Sequence, residues 1–182
     1  MPRYAPPDGH TRVRLELAWD GAEFRGWQAQ AQGERTVQDV LLAGLSRFGE
    51  TLRPVAAGRT DAGVHALRMT AHVDVRDGFP VPPERLARAL NTHLPPDLRV
   101  LESRAAPENF HARFSCTSRH YLYRVQLGPA PHPLERGRSL WLPGVLDLDA
   151  MREATPLLIG THDFRAFRSE EPSCRERVSL LV

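Results

Sequence analysis

The first hydrophobic pattern along the chain is a two-residue alternation. Val13, Leu15, Leu17 and Trp19 share one side of residues 12–19, which predicts a half-buried strand ended by the Asp20-Gly21 turn. The period then changes. Val37, Val40, Leu41, Leu45 and Phe48 fall at helical spacing behind Thr36, a predicted N-cap with Asp39 as its box partner, and this helix is expected to end near Gly49. Residues 52–57 predict a short strand, and the two glycines bounding 58–63 predict a tight loop. Met69, Ala71, Val73 and Val75 alternate with Thr70, His72 and Asp74 as a further strand. Pro82 and Pro83 stand where prolines open a helix, with Leu86, Ala89, Leu90 and Leu94 as its buried stripe and Pro95-Pro96 as its stop. Residues 98–102 complete the set as a short strand.

Through residue 104 the order is therefore β-α-β-β-α-β, the split unit of a ferredoxin-like α+β sandwich with two helices on one face of an antiparallel sheet. A second set then begins. Tyr121, Tyr123, Val125 and Leu127 alternate as a strand, the proline- and glycine-rich stretch 128–144 reads as a long loop, 148–159 as a helix despite Pro156, and 177–182 as the start of one more strand. The expectation is two ferredoxin-like domains with antiparallel sheets: residues 1–105, carrying the loop 58–65, and residues 106–182, the incomplete start of the second. An end on Leu180-Leu181-Val182, with no polar tail, reads as a truncation.

Composition narrows the class. With 182 residues, 41% hydrophobic and 25% charged, the chain is globular rather than a disordered tail. No run approaches the roughly 18 apolar residues of a membrane span, and the N-terminus lacks an apolar export segment, so a soluble, cytoplasmic protein is expected. Cys116 and Cys174 allow at most one bridge, which excludes a disulfide framework. All 24 basic residues are arginine. The guanidinium fork suits phosphate and its face suits bases, but Ile159 is the only isoleucine, and codon bias accounts for most of both extremes. Distribution is more informative: residues 111–140 hold five arginines, Arg113, Arg119, Arg124, Arg136 and Arg138, against Glu135 alone, a local balance of +4. That marks a candidate surface for an anionic ligand.

Two segments hold candidate chemistry. In Gly58-Arg-Thr-Asp-Ala-Gly-Val-His65 a carboxylate, Asp61, lies between glycines beside a guanidinium, in a loop joining strands that should be sheet neighbours. On residue chemistry alone, an Asp in such a turn reads first as a group that bonds its own backbone. Phe110-His-Ala-Arg-Phe114 and Ser118-Arg-His-Tyr-Leu-Tyr-Arg124 interleave arginines with aromatic rings, which suits a single-stranded or flipped nucleotide as well as it suits an ordinary strand with tyrosines at its edge. His65, His72, His111 and the pair His162-Asp163 show no metal-ligand spacing, so no metal and no cofactor are expected. In Gly21-Ala-Glu-Phe-Arg-Gly-Trp-Gln28 no Lys-Ser/Thr follows the glycines, and Phe24 and Trp27 read as buried anchors of a loop.

These segments together resemble the tRNA pseudouridine synthase A family. Besides the 58–65 octamer, the Gly21–Gln28 pattern, Arg35-Thr-Val-Gln38, Asn91-x-x-Leu-Pro-x-Asp97, Phe110-His-Ala-Arg-Phe-Ser115, Tyr121-x-Tyr123 and Gly160-x-His-Asp-Phe-x-x-Phe167 recur in family order across nearly the whole chain. The resemblance implies isomerisation of uridine to pseudouridine at positions 38, 39 and 40 in the anticodon arm of tRNA, without cofactor or metal, by a homodimer. It implies Asp61 as the essential nucleophile or base, Tyr121 stacked on the target base and Arg59 extruding it. Arg113, Arg119 and Arg124 are further candidates for RNA contact. Trp19 stands where the family commonly has tyrosine. The family also continues beyond Val182 with a segment that resembles the source of a basic partner for the carboxylate, so a 182-residue form is expected to be folded at best in its first domain and inactive. Two other classes remain open: a non-catalytic RNA-binding module, and a carboxylate hydrolase that would release free uracil.

Overall fold

In the computed structural model, which describes residues 4–30 and 33–163, the first alternation forms strand β1 (His10–Trp19). β1 pairs antiparallel with both β3 (Ala66–Arg76) and β4 (Leu98–Ala105), and β2 (Val55–Ala56) pairs antiparallel with β3, giving one sheet in the order β2-β3-β1-β4. Helices α1 (Val37–Leu45) and α2 (Pro83–Asn91) fall between β1 and β2 and between β3 and β4. This α+β unit has the β-α-β-β-α-β order expected from periodicity. Its core joins Val13, Leu15 and Leu17 to Leu41 and Leu45 of α1 and Leu86 and Leu90 of α2, each at most 1% exposed. Burying one such leucine stabilises the fold by roughly 1.5–3 kcal/mol.

Local chemistry sets the element ends. The Thr36 hydroxyl oxygen accepts from the Asp39 backbone N–H at 3.2 Å and donates to the Asp39 carboxylate at 2.7 Å, the capping arrangement expected for α1. The helix stops at Leu45, short of Gly49, where the Ser46 hydroxyl donates to the Leu42 carbonyl at 2.8 Å. The strand expected over 52–57 is reduced to Val55–Ala56 plus an isolated bridge between Thr51 and Val75, because Pro54 has no N–H to give the ladder.

The face of β1 and β3 turned away from the helices is polar and nevertheless covered. Arg12 grips Asp74 with two bonds, Nε to Oδ1 at 2.6 Å and Nη2 to Oδ2 at 2.7 Å, and gives Nη1 to the Phe110 carbonyl at 2.8 Å. The Ala112 N–H donates to His72 Nδ1 at 3.1 Å, so the segment following β4 is held down on this face. His72, 3% exposed, must be neutral at Nδ1 to accept that bond. Burial, and then the positive charge of Arg12, lower its pKa from the ordinary 6.5 to about 4. The unfolded chain therefore takes up a proton below pH 6.5 that the folded chain refuses until about pH 4. Stability present above pH 6.5 is lost as pH falls through this window, by up to about 3 kcal/mol. Denaturant titrations at pH 7 and pH 4.5 are expected to show this loss, and His72→Asn, which keeps an acceptor and removes the titration, is expected to flatten it.

Contacts divide the chain into two units, Met1–Tyr123 and Arg124–Val182. In the second, β5 (Val125–Leu127) pairs in parallel with β6 (Leu140–Leu142), and α3 (Leu148–Ala154) is capped by Asp147, whose carboxylate accepts from the N–H groups of Asp149 at 3.1 Å and Ala150 at 2.9 Å. Four expectations are corrected here. The strand expected from Tyr121 begins only at Val125: among the described residues, 121–123 pair with no strand, and Tyr121 and Tyr123 stand 82% and 78% exposed. The stretch 128–144 is not all loop: it holds a 3₁₀ turn (Pro133–Glu135) and β6. The helix expected over 148–159 ends at Ala154 and tightens into a 3₁₀ turn (Thr155–Leu158), since Pro156 has no N–H for an α-helical bond. Among the described residues the strand pair of this unit is parallel, not the antiparallel sheet expected for 106–182, and the strand expected over 177–182 lies outside the described residues. No helix among the described residues is long and apolar enough to cross a membrane.

Candidate active site

The loop that carries Asp61 leaves the sheet after β2 and is joined along its length to the loop that follows β1. The Trp27 N–H donates to the Thr60 carbonyl at 3.1 Å, the Gly63 N–H to the Phe24 carbonyl at 3.1 Å, and the Trp19 indole N–H to the Val64 carbonyl at 2.9 Å. The Gly21 N–H donates to His65 Nδ1 at 3.1 Å. Two side chains anchor this double loop as the sequence suggested: Phe24 and Trp27 are each 2% exposed, and Trp27 packs on Trp19 with ring centroids 5.9 Å apart. The backbones approach so closely that glycine is required. A Cβ on Gly21 would lie 2.2 Å from the Val64 oxygen, and one on Gly26, itself at φ +91°, would lie 2.4 Å from the Thr60 oxygen.

The turn at 61–64 is closed by the backbone, the Val64 N–H donating to the Asp61 carbonyl at 3.3 Å. Among the described residues the Asp61 carboxylate itself has no hydrogen bond and no ion pair, so the turn-forming role that residue chemistry first suggested is not the one it plays. Exposed on a braced loop, it lines a cleft of about 390 Å³ with Arg59, Thr60, Arg25, Gln28, Gln30 and Glu34. Arg25 and Arg59 share this cleft with two carboxylates, yet among the described residues neither guanidinium pairs with an acid. Other arginines of this unit do pair with acids, as Arg12 does with Asp74 and Arg35 with Asp97. A cleft with unpaired guanidiniums beside an unpaired carboxylate can hold a phosphodiester and present a base or nucleophile to its sugar.

Tyr121 lines a different opening, a groove of about 640 Å³ on the polar face of the sheet, with Arg14, Glu16, Arg68, Thr70, Ala57 and Arg119 among its walls. The structure thus brings Arg59 and Asp61 together in one cleft and has Tyr121 line the same groove as Ala57, the residue from which the Asp61 loop departs. The other candidate arginines are engaged differently. Arg113 lies over the Phe114 ring at 5.9 Å from its centroid, Arg119 donates to the Ala57 carbonyl, and Arg124, in the second unit, pairs with Glu135 at 3.1 Å.

Two site residues escaped the sequence reading. Arg25 lies inside a segment interpreted only for its buried rings, and its signal is that it is the exposed position between buried Phe24 and buried Gly26. Glu16 is 4% exposed on the polar face of β1, accepting from Arg14 Nη2 at 2.6 Å and from the Thr70 hydroxyl at 3.0 Å. Only strand register sets it opposite Thr70, so no pattern in β1 alone reveals it.

A family model described as tRNA pseudouridine synthase matches residues 18–115, the span that holds the double loop, the Asp61 cleft and the strands beneath them. The chain belongs to the tRNA pseudouridine synthase family. Members of this family are isomerases acting on uridine in tRNA. The chain is 48% identical over 169 residues to tRNA pseudouridine synthase A of Thermus thermophilus, an alignment covering 93% of this chain and 66% of that protein. It is 44% identical over 172 residues to the synthase of Parvibaculum lavamentivorans and 44% identical over 174 residues to that of Mesorhizobium japonicum, each alignment covering 93% of this chain and 69% of the relative. It therefore spans about two thirds of the length of the synthases it matches.

Proposed function

We propose that this chain carries the catalytic aspartate of a tRNA pseudouridine synthase acting on uridines 38, 39 and 40 of the anticodon stem-loop. The observation that carries the reading is the Asp61 carboxylate, unpaired on a loop held by its neighbour's backbone and sharing its cleft with Arg59. In the reaction the C1′–N1 bond breaks, the base turns, C1′ joins C5, the C5 proton leaves and N1 regains one, so atoms and charge balance without a cofactor. Asp61 starts it, either by adding to C1′ or by removing a ribose proton, and both roles need an ionised carboxylate within reach of the sugar. Arg59 fills the space left as the base is extruded, and Tyr121 stacks on the extruded base, partly offsetting an unstacking cost of a few kcal/mol. Arg25 contacts a phosphate beside Asp61, with Arg113 and Arg124 as further candidates. The architecture that goes with this reading is a ferredoxin-like domain over 1–105 and the incomplete start of a second α+β domain over 106–182, in a cytoplasmic homodimer with tRNA as its partner.

The C5 proton provides the test. With the chain extended to the full length of the synthases it matches, a tRNA transcript labelled with tritium at uridine C5 is expected to release label to water, at positions 38 to 40 only, with pseudouridine and no free uracil formed. Free uracil would identify a hydrolase instead. Bound tRNA with no reaction would return the chain to the RNA-binding class.

A further inference from the structure

Ala57 pairs its N–H with the Thr70 carbonyl of β3 at 2.8 Å, but its own carbonyl, at the point where the chain leaves the sheet for the Asp61 loop, has no ladder partner. Arg119 supplies one. Its Nη2 donates to the Ala57 oxygen at 2.6 Å and its Nε to the same oxygen at 3.2 Å. The packing leaves no room beside it, since a Cβ on Gly58 would lie 3.0 Å from Arg119 Nε. Residues 117–123, which carry Tyr121, have no helix or strand structure, and among the described residues these two bonds and one from the adjacent Cys116 thiol to the Ser118 carbonyl at 3.2 Å are their hydrogen bonds to the rest of their unit, so that only Arg119 reaches the sheet. One guanidinium thus ties the segment that holds the tyrosine to the root of the loop that holds the aspartate.

We infer that Arg119 is a positioning residue that sets the placement of Tyr121 relative to Asp61, and not a ligand of RNA phosphate. The inference rests on the proposed synthase reading for the meaning of that placement, though the tether stands on its own hydrogen bonds. A bidentate donor to a single carbonyl fixes direction as well as distance, which a single point charge on a flexible stem does not. Two groups that must meet one nucleotide, one at its base and one at its sugar, lose effective concentration when either drifts, and a misplacement of about 1 Å costs about 10²-fold in rate. The local excess of arginine in 111–140 drew attention to Arg119 as a phosphate contact, but the Nε and Nη2 hydrogens that would grip an anion are directed at Ala57.

Three measurements on the chain, extended to the full length of the synthases it matches, and on its Arg119→Ala and Arg119→Lys variants decide the matter. The single-turnover rate at saturating tRNA transcript is expected to fall about 10²-fold in Arg119→Ala and to recover partly in Arg119→Lys, which can still give one bond. The tRNA Kd and its salt dependence are expected to stay unchanged in both. Amide hydrogen exchange in residues 58–64 and 117–123 is expected to quicken in Arg119→Ala, with the rest of the unit unaffected. A weakened Kd with the salt slope reduced by about 0.7–0.9, and an unchanged rate at saturation, would make Arg119 a phosphate ligand and overturn the inference. Unchanged exchange in both segments would overturn the tether itself. If the wild-type chain forms no pseudouridine, the synthase reading fails, and the exchange result still decides the tether independently.

Discussion

Asp61→Asn is expected to abolish pseudouridine formation, lowering the single-turnover rate by about 10⁴-fold or more while tRNA binding persists. The exchange is nearly isosteric, and the carboxylate makes no hydrogen bond or ion pair among the described residues, so no packing is disturbed and the melting temperature should match that of the wild type. What is lost is the negative charge. An amide can neither add to C1′ nor take a proton from the ribose, so the loss falls on the chemical step under either role. Tritium release from labelled tRNA measures the rate, and filter binding in parallel measures affinity. Turnover within about tenfold of wild type would remove Asp61 from the chemistry. Affinity lost together with rate would mean instead that the carboxylate organises the loop.

Gly26→Ala is expected to have the largest effect on the fold around the site. Gly26 sits at φ +91°, and its missing Cβ would fall 2.4 Å from the Thr60 carbonyl oxygen, a backbone atom that cannot rotate away. Strain at positive φ costs of order 1–3 kcal/mol, and forcing two backbones apart costs a similar amount again, so a loss of about 3 kcal/mol or more is expected in denaturant titration. The separation must also stretch the Trp27 N–H bond to Thr60, which displaces the residue next to Asp61. Gly63→Ala is the comparison. Gly63 has φ +80° but nothing within 4 Å of its Cβ position, so only the conformational cost of about 1 kcal/mol remains. Equal losses in the two variants would show that backbone conformation, and not the close approach of the two loops, accounts for the requirement for glycine at residue 26.

Most of the first unit was legible because its elements carry strong and unlike periods. The alternation of Val13, Leu15 and Leu17 and the helical stripe of Leu86 and Leu90 each permit one secondary structure, and all five of these residues are at most 1% exposed. Residues 121–127 show where pattern misleads. The alternation there is as regular as in β1, but a strand exists only where another chain segment offers a ladder, and among the described residues β6 pairs with Val125–Leu127 alone. The prolines acted as local physics requires, shortening β2 at Pro54 and tightening α3 into a 3₁₀ turn at Pro156.

The candidate site divides in the same way. The family resemblance singled out Asp61, Arg59 and Tyr121, which residue chemistry alone had left open, while the buried anchors Phe24 and Trp27 were legible from residue type, because large rings beside glycine turns are properties a short segment carries with it. Which of those groups are unpaired was decided only in three dimensions. An arginine looks the same in sequence whether its guanidinium faces Asp74, as that of Arg12 does, the Ala57 carbonyl, as that of Arg119 does, or an open cleft beside Asp61, as those of Arg25 and Arg59 do. A hydrogen bond between residues 62 positions apart has no signature along the chain. Composition and period determine the elements and the chemistry they offer, and tertiary contact decides which of that chemistry is already satisfied and which is left for a substrate.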